Sequence, residues 1–149
     1  MMLRLAIGLG LVGGAAYLGR RNGSFSGSVE RGTEHSAIVE TQERAMRFEI
    51  AAAHALELGK HGTCDDSRSA YANAIDALRD ARSAIRHPRI VKAYQFYSRM
   101  RSDEGQRLDH AGKLMTAGLS HLRDAKKAHD SRCARPVQSI PLSGLAGRR

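Results

Sequence analysis

The residues of this chain best suited to chemistry are two cysteines, each with a histidine close by, in the pairs His61-x-x-Cys64 and His129-x-x-x-Cys133. Together they make a Cys2His2 donor set of the kind that holds zinc, although the spacing follows no zinc-finger pattern. In an oxidising compartment the same cysteines would instead close a disulfide between Cys64 and Cys133, tying the C-terminal tail to a helical turn. A third state has two free thiols. Cys64, in the first turn of a helix with His61 nearby, would then sit where a thiol pKa is lowered, but Asp65 and Asp66 oppose thiolate formation there. All three states stay open on the residues alone.

Other chemistry is thinly represented. The chain carries no Gly-x-Ser-x-Gly, no His-Glu-x-x-His, no phosphate loop, no dinucleotide fingerprint and no paired Glu-x-x-His. The expectation is therefore a non-enzyme with no cofactor and no small-molecule substrate. His54, His110 and His121 read as polar-face residues.

Two charges interrupt apolar helical stripes, and buried charges need partners. Glu49 falls in the stripe of Ile38, Ala45, Ala52 and Leu56, and Arg82 in that of Tyr71, Ile75, Leu78 and Ile85. Glu49 and Arg82 would pair across an antiparallel hairpin or with a partner protein, against the simpler reading that both reach water at a stripe's edge. The stretch from Arg79 to Arg101 holds seven basic residues and one acid around Tyr94, Phe96 and Tyr97. Arg86, Arg89, Lys92, Arg99 and Arg101 would contact phosphates of nucleic acid or anionic lipid. Against that, Tyr94 and Tyr97 share the face of Ile90 and are expected in the core.

The net charge of +9 points less strongly to nucleic acid once it is apportioned. Residues 1–32 hold +3, residues 131–149 hold +4, and residues 33–130 only +2. Most of the excess therefore lies in the tails. Arginine outnumbers lysine 19 to 5, which a GC-rich genome explains as well as phosphate recognition does.

Positioning these residues requires helices. From about Thr33 to Leu58 apolar residues recur at helical spacing, and Gly59 or Gly62 would end the element. Thr63-x-x-Asp66 resembles a capping box and starts a second helix, which His87-Pro88 stops. Pro88 then suits the first turn of a third helix, which presents Ile90, Tyr94 and Tyr97, with Phe96 and Met100 widening its apolar face. Ser102-Asp103-Glu104 suits the start of a fourth helix carrying Leu108, Ala111, Met115, Leu119 and Leu122. Glu40 with Arg44, Glu43 with Arg47, Asp103 with Arg107 and Asp109 with Lys113 form acid-before-base pairs one turn apart, as solvated helix faces do. No stretch alternates apolar and polar residues with hairpin chemistry.

The N-terminus points to a membrane. Leu5, Ile7, Leu9, Leu11, Val12, Tyr17 and Leu18 belong to an uncharged run between Arg4 and the pair Arg20, Arg21. As a helix that run spans about 21 Å against a hydrocarbon core of about 30 Å, so it crosses only with help from its flanks or in a thinned bilayer. Ala6, Gly10 and Gly14 form a small-xxx-small ladder through which membrane helices pack. The competing readings are a cleaved export signal, with Gly13-Gly14-Ala15 supplying the site, and an organellar presequence. Basic residues flank the run on both sides, so orientation stays open.

The expected organisation is all-α. A short apolar N-terminal helix at 1–21, transmembrane or signal, is followed by a Gly/Ser linker at 22–32, a three- to four-helix bundle at 33–130 and a disordered basic tail at 131–149. The expected function is that of a single-pass, membrane-anchored, non-catalytic interaction or structural protein that meets a protein partner or its own copies. The alternatives are a basic nucleic-acid-associated protein, packaged in or delivered by a particle, and an exported or periplasmic helical protein whose signal has been removed.

Overall fold

The computed structural model describes residues 25–97 and 102–140. Among them the fold is all-helical: α1 (Phe25–His61), α2 (Cys64–Ile85), α3 (Pro88–Tyr97) and α4 (Asp103–Arg132), with no strand. Local chemistry sets most of the boundaries. The Thr63 hydroxyl accepts the Asp66 N–H at 3.1 Å to cap α2, and the Ser102 hydroxyl accepts the Gly105 N–H at 3.1 Å to cap α4. Pro88 opens α3, where its missing N–H costs nothing.

The packing repeat is a heptad. On α1 the buried positions are Ile38, Thr41, Ala45, Phe48, Ala52, Ala55 and Gly59, alternating steps of three and four. Leu108, Ala111, Met115, Gly118, Leu122, Ala125 and His129 repeat the pattern on α4. Such spacing aligns one face along a left-handed, coiled-coil-like seam. The two helices run parallel: Glu104 approaches His35 near their starts, Gly118 faces Phe48 midway, and Gly59 faces Ala125 near their ends. The antiparallel α2 returns the chain between them, with Asp80 bonded to Arg44 of α1 and Ser67 to His129 of α4. α3 closes the base, where Ile90 and Ala93 pack on Ile38 and Leu108.

Several expectations are corrected here. The linker expected at 22–32 is helical from Phe25, because extending a helix already fixed by packing gains a backbone bond per residue without a new nucleus. Gly59 does not end α1; it is buried inside it, where a Cβ would meet the Ala125 carbonyl at 3.1 Å. Tyr94 is not core: it is 54% exposed and Phe96 59%, and a ten-residue helix lying over the bundle end buries only Ile90 and Ala93. The tail expected to be disordered from 131 instead folds back over the bundle as far as Ile140, with Val137 only 7% exposed. Residues 141–149 lie outside the described residues, as do 1–24. No helix of the described residues is long and apolar enough to cross a membrane.

Two glycines of α4 should respond oppositely to alanine. A Cβ at Gly118 would lie 2.6 Å from Cε1 of Phe48, a fully buried ring with no room to retreat, whereas a Cβ at Gly112 meets nothing within 4 Å. Gly112→Ala is expected to stabilise by about 1 kcal/mol through helix propensity. Gly118→Ala is expected to lose about 1 kcal/mol or more net, overpacking outweighing the same propensity gain. Urea denaturation of both variants checks this, and equal shifts would refute the close seam.

Candidate functional site

The chemistry-bearing residues are divided between the two ends of the bundle. At the end where α1 meets α2, a disulfide joins Cys64 in the first turn of α2 to Cys133 at the C-cap of α4, with Cα atoms 5.8 Å apart. The bond closes a sequence separation of 69 residues, and by loop-closure entropy contributes about 4 kcal/mol. Beside it, the Nδ1 of fully buried His129 lies 2.9 Å from the Ser67 hydroxyl and its Nε2 lies 3.0 Å from the Arg135 carbonyl. A carbonyl only accepts, so Nε2 is the donor to Arg135 and, in the neutral tautomer this selects, Nδ1 accepts a hydrogen bond from the Ser67 hydroxyl.

This pairing has the elements of an activated serine, a hydroxyl on a base oriented by a third group. It has no route to a substrate, since Ser67 is 2% exposed and His129 is 0%. Its role is to hold the tail. Asp130 accepts the Val137 N–H at 3.1 Å, and Lys126 bridges Asp130 at 2.7 Å and the Val137 carbonyl at 2.9 Å. Burial works against the Asp130 carboxylate, but Lys126 and the Val137 N–H outweigh it and hold its pKa below the usual range. Arg132 donates to the Gly59 and Gly62 carbonyls at 2.6 and 2.9 Å, capping α1 from α4.

The zinc set of His61, Cys64, His129 and Cys133 does not assemble. The sulfurs are bonded to each other, both His129 nitrogens are engaged within the protein, and His61 is exposed at the end of α1. The described residues hold no cluster of three or more metal-ligating side chains. A thiolate at Cys64 is likewise ruled out in this state.

Glu49 and Arg82 do not pair. Glu49 turns to α4, where His121 Nδ1 lies 3.4 Å away. The Arg44–Asp80 bond at 2.8 Å sets the α1–α2 register and places Arg82 level with Gln42, about 10 Å along the axis from Glu49. Burial, reinforced by the like charge of Arg86, lowers the Arg82 pKa. Gln42 itself belongs to a polar seam between α1 and α4, accepting from Arg107 at 3.0 Å and meeting His110 Nδ1 at 2.8 Å.

The other end carries the open surface. An apolar groove of about 400 Å³ is lined by Thr41, Ile85, Ile90, Val91, Tyr94, Gln95, Leu108, Ala111 and Gly112. Arg86, Arg89, Lys92 and Phe96 are exposed but line none of it, and Arg89 faces a second pocket that it shares with Glu40 and His87. Arg99 and Arg101 lie outside the described residues, as do the membrane residues Leu5, Ile7, Leu9, Leu11, Val12, Tyr17, Leu18, Arg20 and Arg21 and the ladder Ala6, Gly10, Gly14.

Sequence reasoning missed Ser67, Lys126, Asp130, Arg132 and Val137. The one available signal was Ser67, a helical turn before Tyr71 on the buried stripe of α2.

Tyr71 gives this end a pH signature. Its hydroxyl is buried without a hydrogen-bond partner among the described residues, and burial with the nearby Asp130 charge pushes its pKa from 10.0 up to about 12. The unfolded chain releases this proton first, so the stability contributed by the protonated phenol is complete below pH 10 and is lost as pH climbs to about 12. The Tm of the wild type should therefore fall more steeply across that interval than that of Tyr71→Phe; parallel curves would refute the assignment.

Compared with known proteins, the chain matches no family model, no curated protein and no solved structure.

Proposed function

We propose that this chain is a non-catalytic helical interaction protein, held at a membrane by residues 1–21 with its bundle on the oxidising side. The observation that carries the reading is the Cys64–Cys133 disulfide, since such bonds persist where the surroundings do not reduce them. Combined with the apolar N-terminal run, it favours a bundle outside the reducing cytosol. The non-catalytic part rests on the sealing of Ser67 and His129 within the core, where they position backbone and reach no solvent. The accessible apolar surface at α3 is suited to recognition.

Membrane fractionation tests the tether and the compartment together. The chain is expected to stay in the pellet after alkaline carbonate, keep its N-terminal residues by intact mass, and resist thiol alkylation until reduced. Loss of about 15 residues would instead identify an exported, processed protein. Ready alkylation of both cysteines in native membranes would refute the oxidising side.

A second reading, binding of nucleic acid, is favoured by one observation: Arg89, Lys92 and Phe96 recur at helical spacing on an exposed face of α3, the combination that contacts phosphates and stacks bases. It requires affinity for single-stranded oligonucleotides that falls steeply with salt and drops on Lys92→Glu. Absence of binding at low salt eliminates it.

A further inference from the structure

The apolar groove at α3 and the folded-back tail occupy the two ends of one cleft. α2 and α4 each pack along α1 but touch one another far less, which leaves a crevice between them. The Ser67–His129 bond fixes their antiparallel register, so Ile85, eighteen residues on from Ser67, falls level with Ala111, eighteen before His129. Both residues line the groove. At the helical rise, the groove therefore lies about 27 Å along the crevice from the level of His129.

The tail enters the crevice from the disulfide end. After Cys133 the Arg135 carbonyl meets His129, the Val137 N–H donates to Asp130 and the Val137 carbonyl accepts from Lys126, so the chain runs back down α4 against its direction. On the other side Pro136, Val137 and Gln138 border a cavity of about 310 Å³ with Tyr71 and Ile75 of α2. Val137 is buried and Ile140 packs on the same core, so the strap fills the crevice with apolar side chains three residues apart. It points along the crevice toward the groove.

The residues that follow Ile140 have the reach and the composition to arrive there. Pro141 favours extended backbone at Ile140, and Leu142 and Leu145 continue the apolar series. Lys126 and Asp130 hold Val137 near the level of His129, and from there an extended chain at about 3.3 Å per residue covers the distance in about eight residues, at Leu145. The receiving surface is matched in kind: its lining carries no charged side chain, and Val91 and Tyr94 in it are otherwise large exposed apolar groups.

We propose that residues 141–146 of this chain continue the strap down the α2–α4 crevice and close the groove at α3, with Leu145 seated between Ile85, Val91, Tyr94 and Ala111 and Leu142 covering the crevice before it. The docking is independent of whether residues 1–21 anchor the chain. Because the strap is tethered at the Cys64–Cys133 bond and at Val137, its effective concentration at the groove is high. A partner that recognises the groove must therefore displace the strap first, which makes the tail an intramolecular competitor for that surface.

Photocrosslinking of the oxidised full chain in detergent tests the inference. A benzoylphenylalanine at position 91, an exposed site in the groove, reports whatever covers it, and an equal mixture of isotope-labelled and unlabelled chains separates contacts within a chain from contacts between chains. The expected result is attachment of position 91 to residues 141–149 within one isotopic form, at a yield that does not change on dilution. The reciprocal probe at position 145 should attach to groove residues such as Tyr94 or Ala111. Leu142→Asp combined with Leu145→Asp should cut the yield about tenfold or more, since burial of one leucine favours docking by at least that factor. Leu142→Met combined with Leu145→Met should restore it. These substitutions lie beyond the packed strap, and resistance of Cys64 and Cys133 to alkylation checks that each variant is folded. Attachment between isotopic forms would assign the groove to a second copy, and attachment to residues 1–24 would assign it to the N-terminal segment; either overturns the proposal. So does a yield unchanged by the aspartates, or failure of both probes to join residues 141–149 to the groove.

Discussion

The distance between α1 and α4 is the constraint from which the rest of the molecule follows. Two parallel helices approach closely only where the facing side chains are small, and here Ala45, Ala52, Ala55 and Gly59 face Ala111, Gly118 and Ala125. Phe48 is the exception, and it is accommodated because Gly118 has no side chain: any Cβ there would strike the ring. The close approach lets Gln42 reach Arg107 and His110, lets Glu49 reach His121, and lets Arg132 reach back to the end of α1. A wider seam would leave all of these polar groups apart and the tail without a surface to lie on.

Parallel alignment carries an electrostatic cost that the ends of the helices answer. The last carbonyls of α1 and α4 lie at the same end, where their negative partial charges add. Arg132 meets two of these α1 carbonyls, and the antiparallel α2 brings its N-terminus, with Asp65 and Asp66 in the first turn, alongside. The disulfide joins those elements covalently, and His129, Asp130 and Lys126 fold the tail over the same end. The polar groups of this end serve closure: its serine, histidine and cysteines all have structural partners.

What was legible in the residues was what is decided locally. Thr63, Pro88 and Ser102 mark helix starts because a cap depends on a few neighbouring atoms, and Ile38, Leu78, Leu108 and Leu122 mark the core because their hydrophobicity does not depend on context. The α1–α4 seam was harder to see because much of it is alanine and glycine, whose burial gives little hydropathy contrast, and because Thr41, Ser67 and His129 are polar residues inside the heptads. Glu49 was assigned to the wrong helix for a topological reason: a short connection makes α2 its neighbour in sequence, whereas the side chain it approaches is His121 of α4, some seventy residues on. The tail escaped notice because it is held through its backbone, which donates to Asp130 and accepts from Lys126, and backbone leaves no periodic signature. Of the candidate site, the two cysteines were found with their pairing among several alternatives, while Tyr94 was placed on the wrong side of its helix because ten residues over a bundle end bury one narrow stripe.

The asymmetry between the ends follows from the same topology. With α1 and α4 parallel, one connection must carry the chain across the bundle end from α2 to α4, and α3 does so as a short helix lying over the base. A crossing element has only one core to cover, so the rest of its surface must be exposed; here Val91 and Tyr94 open onto the groove and Phe96 lies exposed elsewhere on the helix. An apolar groove is thus what the crossing leaves behind, and the disulfide at the far end ties α2 to α4, two of the three long helices that frame it, without occupying any of its surface.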